Sequence, residues 1–309
     1  MNAALPRVAV LLALYEPHLD WLQELFDSLN AQQYPNLYLY MLDDDSESAR
    51  YAAIQTLAAA RLSKISWRLA QNDHNLGSNE SFARLTAEAE GDYFAYCDQD
   101  DIWMPQKLRT LVALAESAGA TMAYSDVSVI DADGRRLAAS LRELRPRLRY
   151  VQGEGLAETY FFRNCTAGCC MLVRADIAKR ALPFPRETLH DHWLAINAAA
   201  SGSVAFTQEA LTAYRQHQDN QTGILSGVDS KADYRRLRVE PLRERMQRCG
   251  ERFPLSEALL RFVRARLEGD IPTIWKYRAL SPYEAKLEVV MKLLPESVFQ
   301  HILCSARRN

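Results

Sequence analysis

Four times within its first hundred residues this chain runs a short apolar stretch into a polar turn and then into a helical pattern. That rhythm restricts the fold more than any other feature. A near-continuous apolar strand must be covered on both faces, as in a parallel sheet flanked by helices. "RVAVLLAL" is the first such stretch; Pro17 then opens a helix with Leu19, Leu22, Phe26 and Leu29 at helical spacing. "NLYLYMLDDDS" is the second strand, followed by an Ala-rich helix over residues 48–62. "KISWRLAQ" is the third, and "SNESFARLTAEAEG" is a helix expected to end at Gly91. "DYFAYCDQDD" is the fourth; Pro105 starts the next helix and "ATMAYSDV" the next strand. The expectation is an α/β fold: a doubly wound mixed, mainly parallel sheet with helices on both faces.

Beyond residue 131 the rhythm breaks. "DADGRRLAASLRELRPRLRYVQGEG" is polar and Arg-rich, with Arg135, Arg136, Arg142, Arg145, Arg147 and Arg149, and reads as a surface excursion. "TAGCCMLVR" resumes as a strand, "DHWLAINAAASG" as a helix, and "SVAFTQEALTAYRQH" as two short strands. After Gly223 the chain turns helical and basic, residues 231–248 holding seven Lys or Arg against three acids. The expected organisation is an α/β domain over residues 1–223 and a helical basic C-terminal extension over residues 224–309.

Two strands finish in carboxylates, Asp43, Asp44 and Asp45 in one case, Asp98, Asp100 and Asp101 in the other. In open α/β sheets, ligands bind beyond the carboxyl ends of the strands. Like charges gathered there repel unless a cation sits among them. A hard ion such as Mg²⁺ or Mn²⁺ takes carboxylate and phosphate oxygens. A hydrated acidic turn is the plain alternative for any single Asp-x-Asp.

The remaining composition excludes other classes. The formal net charge is −2, which does not suit a polycation seeking nucleic acid, and interleaved aromatics of a single-strand platform are scarce. No run approaches a transmembrane length, and the first residues lack a convincing signal peptide. The six cysteines (Cys97, Cys165, Cys169, Cys170, Cys249 and Cys304) show no repeated metal-ligand spacing. They read as reduced thiols of a cytoplasmic protein rather than a zinc site.

Several ordered motifs resemble those of family 2 glycosyltransferases with the GT-A fold, over roughly residues 7–223. "LDDDSES" resembles the family's first acidic element. "NLGSNESFARLTAEAEGDYFAYCDQDDIWMPQKL" is similar to the block carrying its Asp-x-Asp. "DQDDIW" and "YRQHQDNQTG" look most like rhamnosyltransferase-type members of bacterial polysaccharide synthesis.

The resemblance implies an inverting, metal-dependent transfer from a nucleotide-sugar donor, a dTDP- or UDP-sugar, to a saccharide or lipid-linked acceptor. It implies that Asp43 and Asp44 hydrogen-bond base and ribose, and that the backbone of Ala13, Leu14 and Tyr15 lies against the base. Asn75-Leu76-Gly77 would form a tight turn near the nucleotide, with Arg84 approaching base or phosphates. Asp98 and Asp100 match the Asp-x-Asp, with Asp98 toward the sugar nucleotide and Asp100 a ligand of Mg²⁺ or Mn²⁺. His217 would approach the metal, and Arg215 would be a bidentate diphosphate donor. Thr166, Ala167 and Gly168 match the small-residue edge where donor sugar meets acceptor. Asp191 matches the family's general base; His190 and His192 beside it are alternatives, since imidazole titrates near neutrality. The family often carries glycine where this chain has Asp45.

Two other readings are carried alongside. A sugar nucleotidyltransferase would usually show a Gly-rich, Lys- or Arg-containing phosphate loop after the first strand, and "LLALYEPHLD" has none. A non-catalytic saccharide-binding module would not need Asp98, Asp100, Asp191 and His217 together. The basic C-terminal helices suit either the anionic cytoplasmic face of the inner membrane or packing on the catalytic domain.

Overall fold

The computed structural model describes residues 4–146, 148–217 and 227–300. Arg147, Cys304 and the expected boundary at 223 lie outside the described residues. The chain divides into two compact units, Met1–His217 and Gln218–Asn309.

The first unit is built on nine strands: β1 (Val8–Leu14), β2 (Leu37–Asp43), β3 (Ser66–Gln71), β4 (Tyr93–Cys97), β5 (Ile102–Trp103), β6 (Met122–Ile130), β7 (Arg136–Ala138), β8 (Met171–Arg174) and β9 (Val204–Arg215). Its helices are α1 (Leu19–Asn30), α2 (Ser48–Arg61), α3 (Ser78–Glu88), α4 (Lys107–Ala118), α5 (Leu141–Leu144), α6 (Ala157–Phe162), α7 (Ala175–Arg180) and α8 (His190–Ser201). The sheet order is β3-β2-β1-β4-β8-β6-β9-β5, with β7 beside β6. β1 to β4 are mutually parallel, and β6 and β9 are parallel to each other.

β8 decides where the site lies. It runs antiparallel to both β4 and β6, so its start, not its end, falls at the carboxyl edge of its neighbours. The segment Thr166–Cys170 that leads into β8 is thereby brought to the same edge as the Asp98–Asp101 loop after β4.

The apolar rhythm explains the core. Val8, Val10 and Leu12 of β1 are buried against one cluster that includes Leu22, Leu25, Phe26 and Leu29 of α1. Each such side chain contributes roughly 2 kcal/mol on burial.

Two local expectations are corrected, and a third gains a detail. α3 ends at Glu88, not at Gly91; a Cβ on Gly91 would stand 3.0 Å from the Arg7 carbonyl, so this glycine serves the close approach to β1. "SVAFTQEALTAYRQH" forms one strand, β9, rather than two. The register opposite consecutive Ser125 and Asp126 jumps from Thr207 to Ala210, and this irregularity interrupts the alternation that marks a strand. The Arg-rich excursion is exposed for much of its length but fastened to β6: Asp126 accepts from the hydroxyls of Ser140 and Tyr150.

The second unit comprises α9 (Lys231–Tyr234), a π-helical turn (Arg235–Val239), α10 (Pro241–Gly250), α11 (Glu257–Glu268), α12 (Ile271–Lys276) and α13 (Pro282–Leu293). Leu242, Leu259, Phe262 and Ile274 are buried within it. Arg266, also buried, is paired with Glu288 at 3.0 Å. Among the described residues, no helix is long and apolar enough to cross a membrane.

Candidate active site

The loop after β4 is held from three sides. The Gln99 side chain accepts from Tyr15 N at 2.9 Å and donates to Tyr15 O at 3.2 Å, fastening the loop to the end of β1. Asp101 is fully buried, and its Oδ1 accepts from the main-chain N–H of Arg215 at 3.0 Å. The main-chain N–H of Trp103, two residues on, donates to the Ser28 hydroxyl oxygen at 3.0 Å. These anchors leave Asp98 and Asp100 half-buried at the strand edge.

His217, beyond the end of β9, sets its Nε2 2.7 Å from Asp100 Oδ2. The Trp21 ring of α1 lies 4.9 Å from the imidazole, which backs the ring on one side. Arg215 behaves differently from the diphosphate donor that the sequence implied. It is buried, and its guanidinium donates to the carbonyls of Asp100, Asp131 and Ala132 and to the Glu24 carboxylate. A diphosphate would have to displace these partners, so Arg215 fastens the acidic loop rather than meeting a ligand.

Burial and neighbouring charges raise two of these acids, Asp98 and Asp101. Burial, then the charges of Asp101, Asp100 and Asp191, push Asp98 well above the usual carboxylate range. Burial, then Asp100, lifts Asp101 to about 7, partly offset by the Arg215 N–H and by Cys169. Below them lies Lys107, fully buried, its ammonium 3.3 Å from the Trp103 ring centroid and donating to Cys169 O and Thr212 Oγ1.

The donor set fits a hard divalent cation. Asp98 and Asp100 offer oxygens, His217 a nitrogen, and buried Asp101 Oδ2 has no hydrogen-bond partner. Oxygens of Asp98 and Asp101 and the Cys169 sulfur lie within 4.8 Å of one another. Burial holds the Cys169 thiol far above its ordinary value, so it stands beside these carboxylates protonated and not as a thiolate ligand.

The β1–β2–β3 edge is organised by its own acids. Asp43 is buried and accepts from Ser46 N and Oγ and from Gln71 Nε2. Asp44 Oδ1 accepts from Asn72 Nδ2 at 2.7 Å and Leu76 N at 2.9 Å, and Oδ2 accepts from Gly77 N at 2.7 Å. Asp44 therefore shapes the Asn75-Leu76-Gly77 turn, where Gly77 adopts φ +83° and Asn75 Oδ1 accepts from its N–H. Arg84 is paired with Glu88 and donates to Asn72 Oδ1, and stands half-exposed beside this turn. Ala13 is half-buried at the end of β1, and the Tyr15 side chain is 50 % exposed. Asp45 takes φ +70°, in the left-handed region that favours glycine.

Asp191 stands in the first turn of α8. Its Oδ1 accepts from His192 N at 2.6 Å and its Oδ2 from Gly168 N at 3.2 Å. Burial lifts its pKa to about 6, with those donors and Asn164 opposing the rise. A carboxylate tuned close to neutrality suits proton abstraction. The neighbouring histidines are less suited. His190 is buried, stacked 4.0 Å from Phe82, and burial drives its pKa down to about 3. His192 has its Nε2 against Tyr160 O.

One edge thus gathers Asp98, Asp100, His217, Gly168 and Asp191, while Asp43, Asp44, Asn75, Gly77 and Arg84 form a second cluster around the β2 and β3 ends. Sequence reasoning missed Gln99, Asn72 and Lys107. Gln99 was visible as the middle residue of the Asp-x-Asp. Lys107 carried no signal, because a lysine on an amphipathic helix reads as exposed.

Residues 10–182 match the family model described as "Glycosyl transferase family 2". The succinoglycan biosynthesis protein ExoO of Rhizobium meliloti is 29% identical over 132 residues, 43% of this chain and 36% of that protein. The dTDP-rhamnosyl transferase RfbG of Shigella flexneri is 22% identical over 230 residues, 70% of this chain and 75% of that protein. Among solved structures, S. aureus TarS 1-349 in complex with UDP-GlcNAc superposes with TM-score 0.61 at 15% identity, over 91% of this chain and 83% of that one. The mannosyltransferase PcManGT from Pyrobaculum calidifontis, in complex with GDP-Man and Mn²⁺, gives 0.60 at 14%, over 98% and 80%. This chain shares the fold of both, the GT-A architecture.

Proposed function

The chain belongs to glycosyl transferase family 2, and from that premise we propose that it transfers a sugar from a nucleoside diphosphate sugar to an acceptor hydroxyl, inverting the anomeric carbon. The observation that carries this reading is the placement of Asp191. Its carboxylate is held by two main-chain N–H groups and lies near enough to Asp98 for its charge to raise that residue's pKa.

Asp191 accepts the proton of the acceptor hydroxyl as its oxygen attacks C1 of the donor and the bond from C1 to the diphosphate breaks. Gly168, whose missing Cβ admits His190 and Asp191 at close range, donates its N–H to that carboxylate, where the two substrates are to meet. Asp98 orients the sugar nucleotide, and the turn shaped by Asp44 receives the nucleoside together with Asp43, Ala13 and Tyr15. Asp100 and His217 would hold Mg²⁺ or Mn²⁺, which when bound offsets charge on the leaving diphosphate. The residues assigned to the chemistry all belong to the α/β domain proposed over residues 1–223.

The relatives named for succinoglycan synthesis and dTDP-rhamnosyl transfer favour a dTDP-rhamnose donor and a lipid-linked or free saccharide acceptor in cell-surface polysaccharide assembly. The work is then done on the cytoplasmic side, at the inner membrane. The test is a panel of dTDP-rhamnose, UDP-GlcNAc and GDP-mannose, read as thermal stabilisation and as donor hydrolysis. One donor is expected to stabilise the protein and turn over, and Asp191→Asn to retain the stabilisation and lose the turnover. Stabilisation by none of them, or undiminished turnover in Asp191→Asn, contradicts the reading.

A further inference from the structure

The second unit carries the positive charge that the first lacks. Met1–His217 holds twenty Lys or Arg against twenty-seven Asp or Glu, and Gln218–Asn309 holds seventeen against twelve. Within that second unit, α12 packs against α13, and the solvent side of this hairpin has an unusual make-up.

On α13, Tyr283, Lys286, Val290 and Leu293 recur at spacings of three and four, which places them along one helical stripe. All four are exposed, with Val290 at 45% and Leu293 at 78%. α12 adds Trp275, 45% exposed, with the Arg278 guanidinium 5.0 Å from its ring centroid. Exposed cations accompany these apolar groups: Lys276, Arg278 and Lys286, while Lys292 lies on the other face of α13 and donates to Gly269 O at 3.1 Å. The only acids of residues 275–293 are engaged elsewhere. Glu284 accepts from the Ser281 hydroxyl, and Glu288 holds buried Arg266 and the Tyr234 hydroxyl.

An ordinary solvated helix intersperses acids with its cations and turns its large apolar residues inward. This hairpin shows aromatic, aliphatic and cationic groups together and no unengaged carboxylate, the composition of a helix lying in the plane of a lipid interface. The charge complement is an anionic surface. We propose that the α12–α13 hairpin docks on an anionic lipid bilayer, with Trp275, Tyr283, Val290 and Leu293 entering the headgroup boundary and Lys276, Arg278 and Lys286 meeting lipid phosphates. This deepens the reading of a membrane-side glycosyltransferase given above and rests on it for its purpose, but its test is separate.

The full chain is sedimented with vesicles of phosphatidylcholine alone and of phosphatidylcholine with phosphatidylglycerol. Binding is expected to the anionic vesicles only, falling as salt is raised. Lys286→Gln is expected to weaken it about fivefold, and Val290→Ser with Leu293→Ser to weaken it further. Because these side chains are exposed, the variants should keep the wild-type melting temperature and nucleotide-sugar stabilisation. Absence of wild-type binding, or variants that bind as wild type, overturns the proposal. So does a wild-type dimer in solution that Leu293→Asp converts to monomer, since the stripe would then pair two copies of this chain. If vesicle binding stands while no sugar nucleotide stabilises the protein, the catalytic reading fails alone.

Discussion

The main-chain N–H of Arg215 donates to Asp101 Oδ1 at 3.0 Å, joining the end of β9 to the loop after β4. Two residues later His217 meets Asp100 at 2.7 Å. The side chain of Arg215 reinforces this junction by binding three carbonyls and Glu24. A single buried arginine therefore fixes the distance between the two elements that would hold a cation.

Arg215→Met should cost about 3 kcal/mol of stability, because several hydrogen bonds to a charged group are lost and the carbonyls they served stay dry. Urea denaturation measures this as a lowered midpoint. A midpoint equal to wild type would mean that the guanidinium is not structural, and would return it to the diphosphate.

Asp45 offers a test in the opposite direction. Its φ of +70° suits glycine, so Asp45→Gly should leave stability unchanged or raise it. Asp45→Val should lower it by about 1–2 kcal/mol. Thermal melts of the two variants decide the matter, and equal melting temperatures would contradict it.

The alternation of strands and helices was legible because each apolar stretch of the parallel sheet is covered on both faces. The GT-A architecture followed from that alternation together with the family motifs. Asp100 and His217, both assigned to the metal from the sequence, and Asp191 and Gly168, assigned to separate roles, lie in contact in the fold. What escaped reading depends on tertiary packing. Arg215 and Lys107 are charged residues whose burial follows from carbonyls supplied by distant segments. β9 looked like two strands because its register irregularity opposite β6 breaks the alternation. Gly91 looked like a helix end, although its lack of a side chain serves β1.

Gly168→Ala tests the meeting point of donor and acceptor. The added Cβ would lie 3.1 Å from His190 Nε2 and 3.4 Å from Asp191 Cβ, so neighbours must shift by a few tenths of an ångström. Turnover should fall on the order of tenfold or more, since small displacements of reacting groups cost rate steeply. Nucleotide affinity should hold. Loss of affinity with turnover preserved would place the glycine at the nucleotide instead.

The rate should depend on pH through Asp191. Burial raises its pKa to about 6, and only the ionised carboxylate can accept a proton. kcat/KM should therefore rise as pH increases through about 6 and fall on acidification below it. A profile flat between pH 5 and pH 7 (roughly one unit either side of that pKa) would rule out Asp191 as the base.

The most direct test of the site itself is calorimetric titration of UDP and dTDP into the protein with and without Mn²⁺. The account predicts that at least one of them binds when Mn²⁺ is present, that Asp100→Ala abolishes the Mn²⁺-dependent part, and that Asp191→Asn leaves it intact. Equal, Mn²⁺-dependent binding by wild type and Asp100→Ala would contradict the assignment of Asp100 and His217 to the metal.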